Sequence, residues 1–104
     1  MSKVRLVSSH VLLDGSLVAS LFGEAGQALV AYESGSKRLL ITGPDNQWFA
    51  KLHKPVPMLL KIRNLKGDRS LAVREFLIDH DLDTADRPLT YEIIAETGLL
   101  KINL

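Results

Sequence analysis

Apolar residues fall at every second position in four stretches of the chain. Val4 and Leu6 alternate with Lys3, Arg5 and Val7, and Met58, Leu60 and Ile62 alternate with Leu59, Lys61 and Arg63. Tyr91, Ile93 and Ala95 alternate with Thr90, Glu92, Ile94 and Glu96, and Leu100, Ile102 and Leu104 alternate with Leu99, Lys101 and Asn103. A period of two is that of a strand with one face in a core and one toward water. Three further runs, at 11–13, 29–31 and 39–41, are apolar at every position, as central strands covered on both faces are. Turn-forming clusters separate these segments: Asp14-Gly15-Ser16, Gly23-Glu24-Ala25-Gly26, Ser34-Gly35-Ser36, Gly43-Pro44-Asp45-Asn46, Lys54-Pro55-Val56-Pro57, Lys66-Gly67-Asp68 and Glu96-Thr97-Gly98. The spacing predicts a mainly-β fold, an antiparallel β-sandwich or small barrel of about eight or nine short strands. The apolar stripe that ends at Leu104 predicts a last strand held inside a sheet, beside the first strand.

Two segments depart from the pattern. Residues 16–34 place Leu17, Val18, Leu21, Phe22, Ala25, Ala28, Leu29 and Tyr32 at helical spacing, with Ser16 as N-cap and Gly35 beyond the end. Gly23 and Gly26 would cost such a helix about 1 kcal/mol each. A hairpin is therefore the preferred reading, and an α+β fold with a helix at 16–34 is the alternative. Residues 69–80 alternate poorly. They predict one helix, with Val73, Phe76, Leu77 and His80 on a face and Asp68 as its cap.

With 104 residues, 46% hydrophobic and 24% charged, the chain is expected to form a single domain over residues 1–104. The lack of cysteine excludes disulfides, thiolate nucleophiles and cysteine-ligated metals; no stretch matches a cofactor motif, so no cofactor is expected. The charged residues among the first ten interrupt any signal-like run, and no apolar stretch approaches the ~20 residues that cross a bilayer. The expectation is a soluble cytoplasmic protein with no membrane partner.

Charge alters this plain picture. Net charge is only +1, yet residues 51–74 hold seven cations against Asp68, and residues 75–96 hold seven carboxylates against Arg87. If the two segments were neighbours in a sheet, Lys61 and Arg63 would face Glu92 and Glu96 across strands. If they stayed apart, Lys61, Arg63, Arg74, Glu92 and Glu96 would form complementary patches for self-association or a charged partner.

Candidate chemistry is sparse. Asp79, Asp81, Asp83 and Asp86 place carboxylates as a calcium loop begins, but Thr84 stands where an EF-hand needs glycine and Thr90 where it needs a bidentate Glu. His10, His53 and His80 have no nucleophile or ligand spacing around them. Trp48 is expected in the core. On the surface it would stack on a sugar or base, or anchor a partner, beside His53 and Lys54. No phosphate-binding loop is present. The function expected is a non-enzymatic interaction or self-assembly module. The alternatives are a small-ligand, carbohydrate or metal-binding domain using Trp48 and loop 79–86, and nucleic-acid binding through 51–74, the less favoured partner.

Overall fold

In the computed structural model, which describes residues 3–23, 25–64 and 66–104, the chain is laid down as four successive hairpins joined by short helices. The first hairpin is β1 (Val4–Val7) and β2 (His10–Leu13), followed by α1 (Gly15–Leu21). The second is β3 (Gln27–Glu33) and β4 (Arg38–Thr42), followed by α2 (Gln47–His53). The third is β5 (Val56–Leu59), which runs on into β6 (Lys61–Ile62), and β7 (Arg69–Ala72), followed by α3 (Arg74–Asp79). The fourth is β8 (Arg87–Pro88), which runs on into β9 (Tyr91–Ile94), and β10 (Leu99–Asn103). Met1, Ser2, Leu65 and Glu24, the last inside the predicted turn at 23–26, lie outside the described residues.

The strands build two five-stranded antiparallel sheets. The first has the order β6-β7-β2-β1-β8 and the second β5-β3-β4-β10-β9. Each bent segment changes sheets at a buried leucine. Leu60 donates its N–H to Gly26 (2.8 Å) between β5 and β6, and Leu89 donates to Val4 (2.9 Å) between β8 and β9. The sheets are thus stitched at both sides into a ring with the mainly-β sandwich or barrel character that the periodicity predicts. The ring maps onto itself when β1, β2, β5–β6 and β7 are exchanged for β3, β4, β8–β9 and β10. This topological two-fold interchanges the two sheets, and no sequence repeat announces it. The lateral segments carry Pro57 and Pro88, which offer no backbone donor and blunt the edges against strand addition.

Between the sheets lies the main core. Val4, Leu6, Val11 and Leu13 from the first sheet meet Ala28, Val30, Leu39, Ile41, Leu100 and Ile102 from the second. α1 contributes Leu17 and Val18 at one end, and α3 contributes Leu77 at the other. The hairpin turns show how local chemistry sets register. Ser8 and Ser9 both take positive φ (50° and 63°) between the paired Val7 and His10, the backbone of a type I′ turn. Ser8 is held there by donating its N–H to Asp86 (2.9 Å). Gly15 is required by packing: a Cβ there would lie 2.3 Å from the Lys66 carbonyl oxygen.

Several expectations are corrected. Segment 16–34 is neither one helix nor a hairpin. Asp14, not Ser16, caps α1, and the helix stops before Gly23 (φ 59°), so Gly23, which weighs against a long helix, instead ends a short one. Segment 69–80 is split: Arg69–Ala72 pairs with β2, and only Arg74–Asp79 is helical. Asp68 does not cap α3, because its carboxylate accepts the Gly15 N–H (2.6 Å). The last strand is central as expected, but between β4 and β9 rather than beside β1. The cross-strand pairing of Lys61 and Arg63 with Glu92 and Glu96 does not form. Their segments, β5–β6 and β8–β9, lie on opposite sides of the ring, and Glu92 faces Lys101.

Candidate functional site

The outer faces of the two sheets differ. α2 packs on the second sheet and sets the difference. Asn46 accepts the Phe49 N–H (3.0 Å) as N-cap, while its amide donates to Thr42 Oγ1 and to the Thr97 carbonyl (3.1 Å each). This clamp drives Phe49, 0% exposed, onto Ala31, Leu40 and Leu99. The rest of that face is charge-balanced. Arg38 pairs with Glu33 at 3.3 Å, and Lys101 stands opposite Glu92. The Glu33 carboxyl is held below its ordinary pKa, first by the Ser36 hydroxyl, then by the charge of Arg38 and its hydrogen bond, and by Lys101.

No described helix packs on the outer face of the first sheet. Its middle row runs Lys61, Ser70, Leu12, Arg5 and Pro88 from strand to strand. Two grooves lie on it. The larger encloses about 440 Å³ among Lys3, Arg5, Leu12, Leu13, Asp14, Arg63, Asn64 and Asp68. The smaller, about 190 Å³, is walled by His10, Met58, Leu59, Lys61, Ser70 and Ala72. Ser70 is 1% exposed, and its hydroxyl has no hydrogen-bond partner among the described residues. A buried hydroxyl in that condition needs an explanation.

The electrostatics of this face are one-sided. Lys3, Arg5, Lys61 and Arg63 have no ion pair among the described residues. Other guanidinium groups are occupied: Arg69 donates to the Leu60 carbonyl (3.0 Å), and Arg87 donates to the carbonyls of Asp83, Ala85 and Leu104 (2.8–2.9 Å). Cations outnumber carboxylates in the larger groove, Lys3, Arg5 and Arg63 against Asp14 and Asp68, and the carboxylates of this face also accept backbone N–H groups. Asp14 accepts the Ser16 N–H (3.1 Å), Asp68 that of Gly15, and Asp86 that of Ser8. The Asp14 carboxyl is held low by the Ser16 hydroxyl and N–H, with Lys3 adding to the effect. Such a concave cationic surface, with short apolar stretches at Leu12 and Leu59, is chemically suited to an extended anion.

The predicted residues are scattered by this geometry. Arg63 and Lys61 fall in the larger and smaller groove respectively. Trp48 is not in the core but 59% exposed on α2, with Leu52 one turn on and 58% exposed. Seven helical residues cannot bury every apolar side chain, and Phe49 takes the inward position. His53 ends α2 with its ring 4.8 Å from that of Phe49, and Lys54 caps the helix in the left-handed conformation. Neither lines either of the two grooves. Asp79 ends α3, Asp81 takes φ 52°, and Asp83 accepts the Ala85 N–H (2.9 Å). Among the described residues no three metal-ligating side chains gather closely enough to hold an ion. Arg74 opens α3 and Glu96 lies in the β9–β10 turn.

Lys3, Arg5, Asn64 and Ser70 were not among the sequence candidates, and His10 was weighed there only as a histidine without nucleophile or ligand spacing. Alternation against Val4 and Leu6 marks Lys3 and Arg5 as outward. Only the pairing of β2 with β7 brings them beside Lys61 and Arg63, and that contact joins segments far apart in the chain. No family model matches this chain, and no curated protein or solved structure matches it significantly. No described helix is long and apolar enough to cross a membrane.

Proposed function

We propose that this protein is a non-enzymatic interaction module of the cytoplasm that holds an acidic protein segment on the outer face of its first sheet. The observation that carries the reading is the combination found there: no described helix covering the face, two grooves, and four cations (Lys3, Arg5, Lys61 and Arg63) with no ion pair among the described residues, against two groove carboxylates, Asp14 and Asp68. Charge complementarity of this kind sets encounter rate and orientation. The proline-bearing lateral segments argue for docking on the face and against addition of a strand at an edge. No Phe, Tyr or Trp lines either groove, so the aromatic platform on which single-stranded nucleic acid stacks is missing. Contacts of the groove with phosphates alone would give a strong salt dependence without base stacking.

Titration of the full chain with an oligoglutamate peptide, followed by backbone amide shifts, tests the reading. Shifts should concentrate on Arg5, Leu12, Lys61 and Ser70 and should weaken as salt rises. The double charge reversal Arg5→Glu with Lys61→Glu should abolish them. No shift at low salt, or shifts confined to α2 around Trp48, would overturn the proposal, as would tighter binding of a mixed-sequence oligonucleotide.

A further inference from the structure

We infer that the acidic segment received by the larger groove is α3 of a second copy of this chain, so that molecules join head to tail. The inference rests on the reading of the first sheet's outer face as the contact surface and names its occupant. α3 carries Glu75, Ile78 and Asp79 at spacings of three and four residues, so the three share one helical stripe. Ile78 is among the exposed large hydrophobic residues of the molecule. The carboxylates of Glu75, Asp79 and the following Asp81 have no ion pair among the described residues. An exposed apolar side chain flanked by free carboxylates complements a groove with Leu12 on its wall, in which the three cations Lys3, Arg5 and Arg63 outnumber the two carboxylates Asp14 and Asp68. The net charge of +1 means that the basic excess on one side has its balance elsewhere in the same molecule.

The two surfaces cannot meet within one chain. α3 starts at the Ser8–Ser9 turn, where Val73 donates its N–H to the Ser9 carbonyl (3.1 Å). Lys3 and Asp14 stand at the opposite end of the same hairpin, joined by the Asp14 N–H and Lys3 carbonyl (2.9 Å). Four residues of strand separate these ends, about 13 Å at the usual rise. Each copy therefore presents one groove and one α3 stripe at different ends, so the contact between them is heterologous and builds an open chain wherever the rotation between copies does not close a ring.

Sedimentation of the full chain from micromolar to millimolar concentration, at low and high salt, tests this. The weight-average mass should rise past that of a dimer at low salt and return to that of a monomer at high salt. Arg5→Glu with Arg63→Glu, and separately Glu75→Lys with Asp79→Lys, should each weaken association by about tenfold or more. An equimolar mixture of the two variants retains one intact groove and one intact α3, and should form dimers but nothing longer. A wild type that stays monomeric throughout, or that stops at the dimer, overturns the inference. If such a monomer still binds oligoglutamate through Arg5 and Lys61, only the second copy as occupant is lost. If it binds neither, the reading of the face is lost as well.

Discussion

The two sheets are equivalent in topology and opposite in what they do with their outer faces. In the first, the middle row reads Lys61, Ser70, Leu12, Arg5 and Pro88. In the second, the corresponding strands supply Ile94, Leu99, Thr42, Leu29 and Pro57. The prolines match, and blunt the same lateral positions. Most of the others do not: Ile94, Leu99 and Leu29 belong to the apolar seat of Phe49 on α2, with Thr42 the polar member of that row, whereas Lys61, Ser70 and Arg5 flank Leu12 on a face that no described helix covers. The contrast teaches that surface chemistry, more than strand order, distinguishes a structural face from a binding face.

Truncating the seat should produce the largest effect. Phe49→Ala removes a fully buried side chain that packs α2 on Ala31, Leu40 and Leu99, and is expected to cost about 3–5 kcal/mol. Arg5→Ala, at the centre of the other face, should change stability by no more than about 0.5 kcal/mol. Urea unfolding of both variants checks the pair. Similar losses would mean that the first sheet's outer face also carries structure, and the comparison would fail.

Much of this architecture was legible from alternation. Val4, Leu6, Leu100 and Ile102 are inward, and the doubly apolar run at Leu39, Leu40 and Ile41 is buried on both sides as expected. Legibility ended where tertiary contact overrides local pattern. Met58, Leu60 and Ile62 read as one stripe, but the segment bends at Leu60, and Ile62 is left exposed. Trp48 read as core because the pattern asks for bulk inside, yet Phe49 beside it has that place. The charge windows pointed to Lys61 and Arg63. They could not point to Lys3 or Arg5, which join them only through β2 and β7. Asp79, Asp81, Asp83 and Asp86 resembled a cage in spacing, but among the described residues no three metal-ligating side chains gather closely enough to hold an ion, because spacing along the chain does not fix where the loop carries each carboxylate.

A smaller change sharpens the contrast at one atom. Ser70 stands between Leu12 and Lys61, buried, with a hydroxyl that has no partner among the described residues. Removing an unsatisfied buried hydroxyl relieves a desolvation cost, so Ser70→Ala should leave stability unchanged or raise it by about 1 kcal/mol. If the hydroxyl is held for a ligand, the same replacement lowers oligoglutamate affinity. Thermal and urea unfolding measure the first effect and amide-shift titration the second. A clear loss of stability would show that the hydroxyl has a partner within the fold and is not reserved for a ligand.

The smallest effect separates the faces by pH. Asp14 at the groove rim and Glu33 on the second sheet both have carboxyls lowered from their ordinary values of 3.8 and 4.5. A lowered folded pKa means that the unfolded chain binds the proton more readily. The stabilisation is therefore complete above those ordinary values and is lost as pH falls through the lowered folded ones. Asp14→Asn keeps a capping oxygen for Ser16 but has no proton to bind, and Glu33→Gln does the same beside Ser36 and Arg38. Each should flatten the acid limb of the unfolding curve. Their effects on binding should diverge: Asp14→Asn strips a negative charge from the groove and tightens oligoglutamate, whereas Glu33→Gln lies on the covered sheet and leaves it unchanged. Equal effects on binding would show that the anion responds to net charge alone, and the distinction between the two faces would have no bearing on recognition.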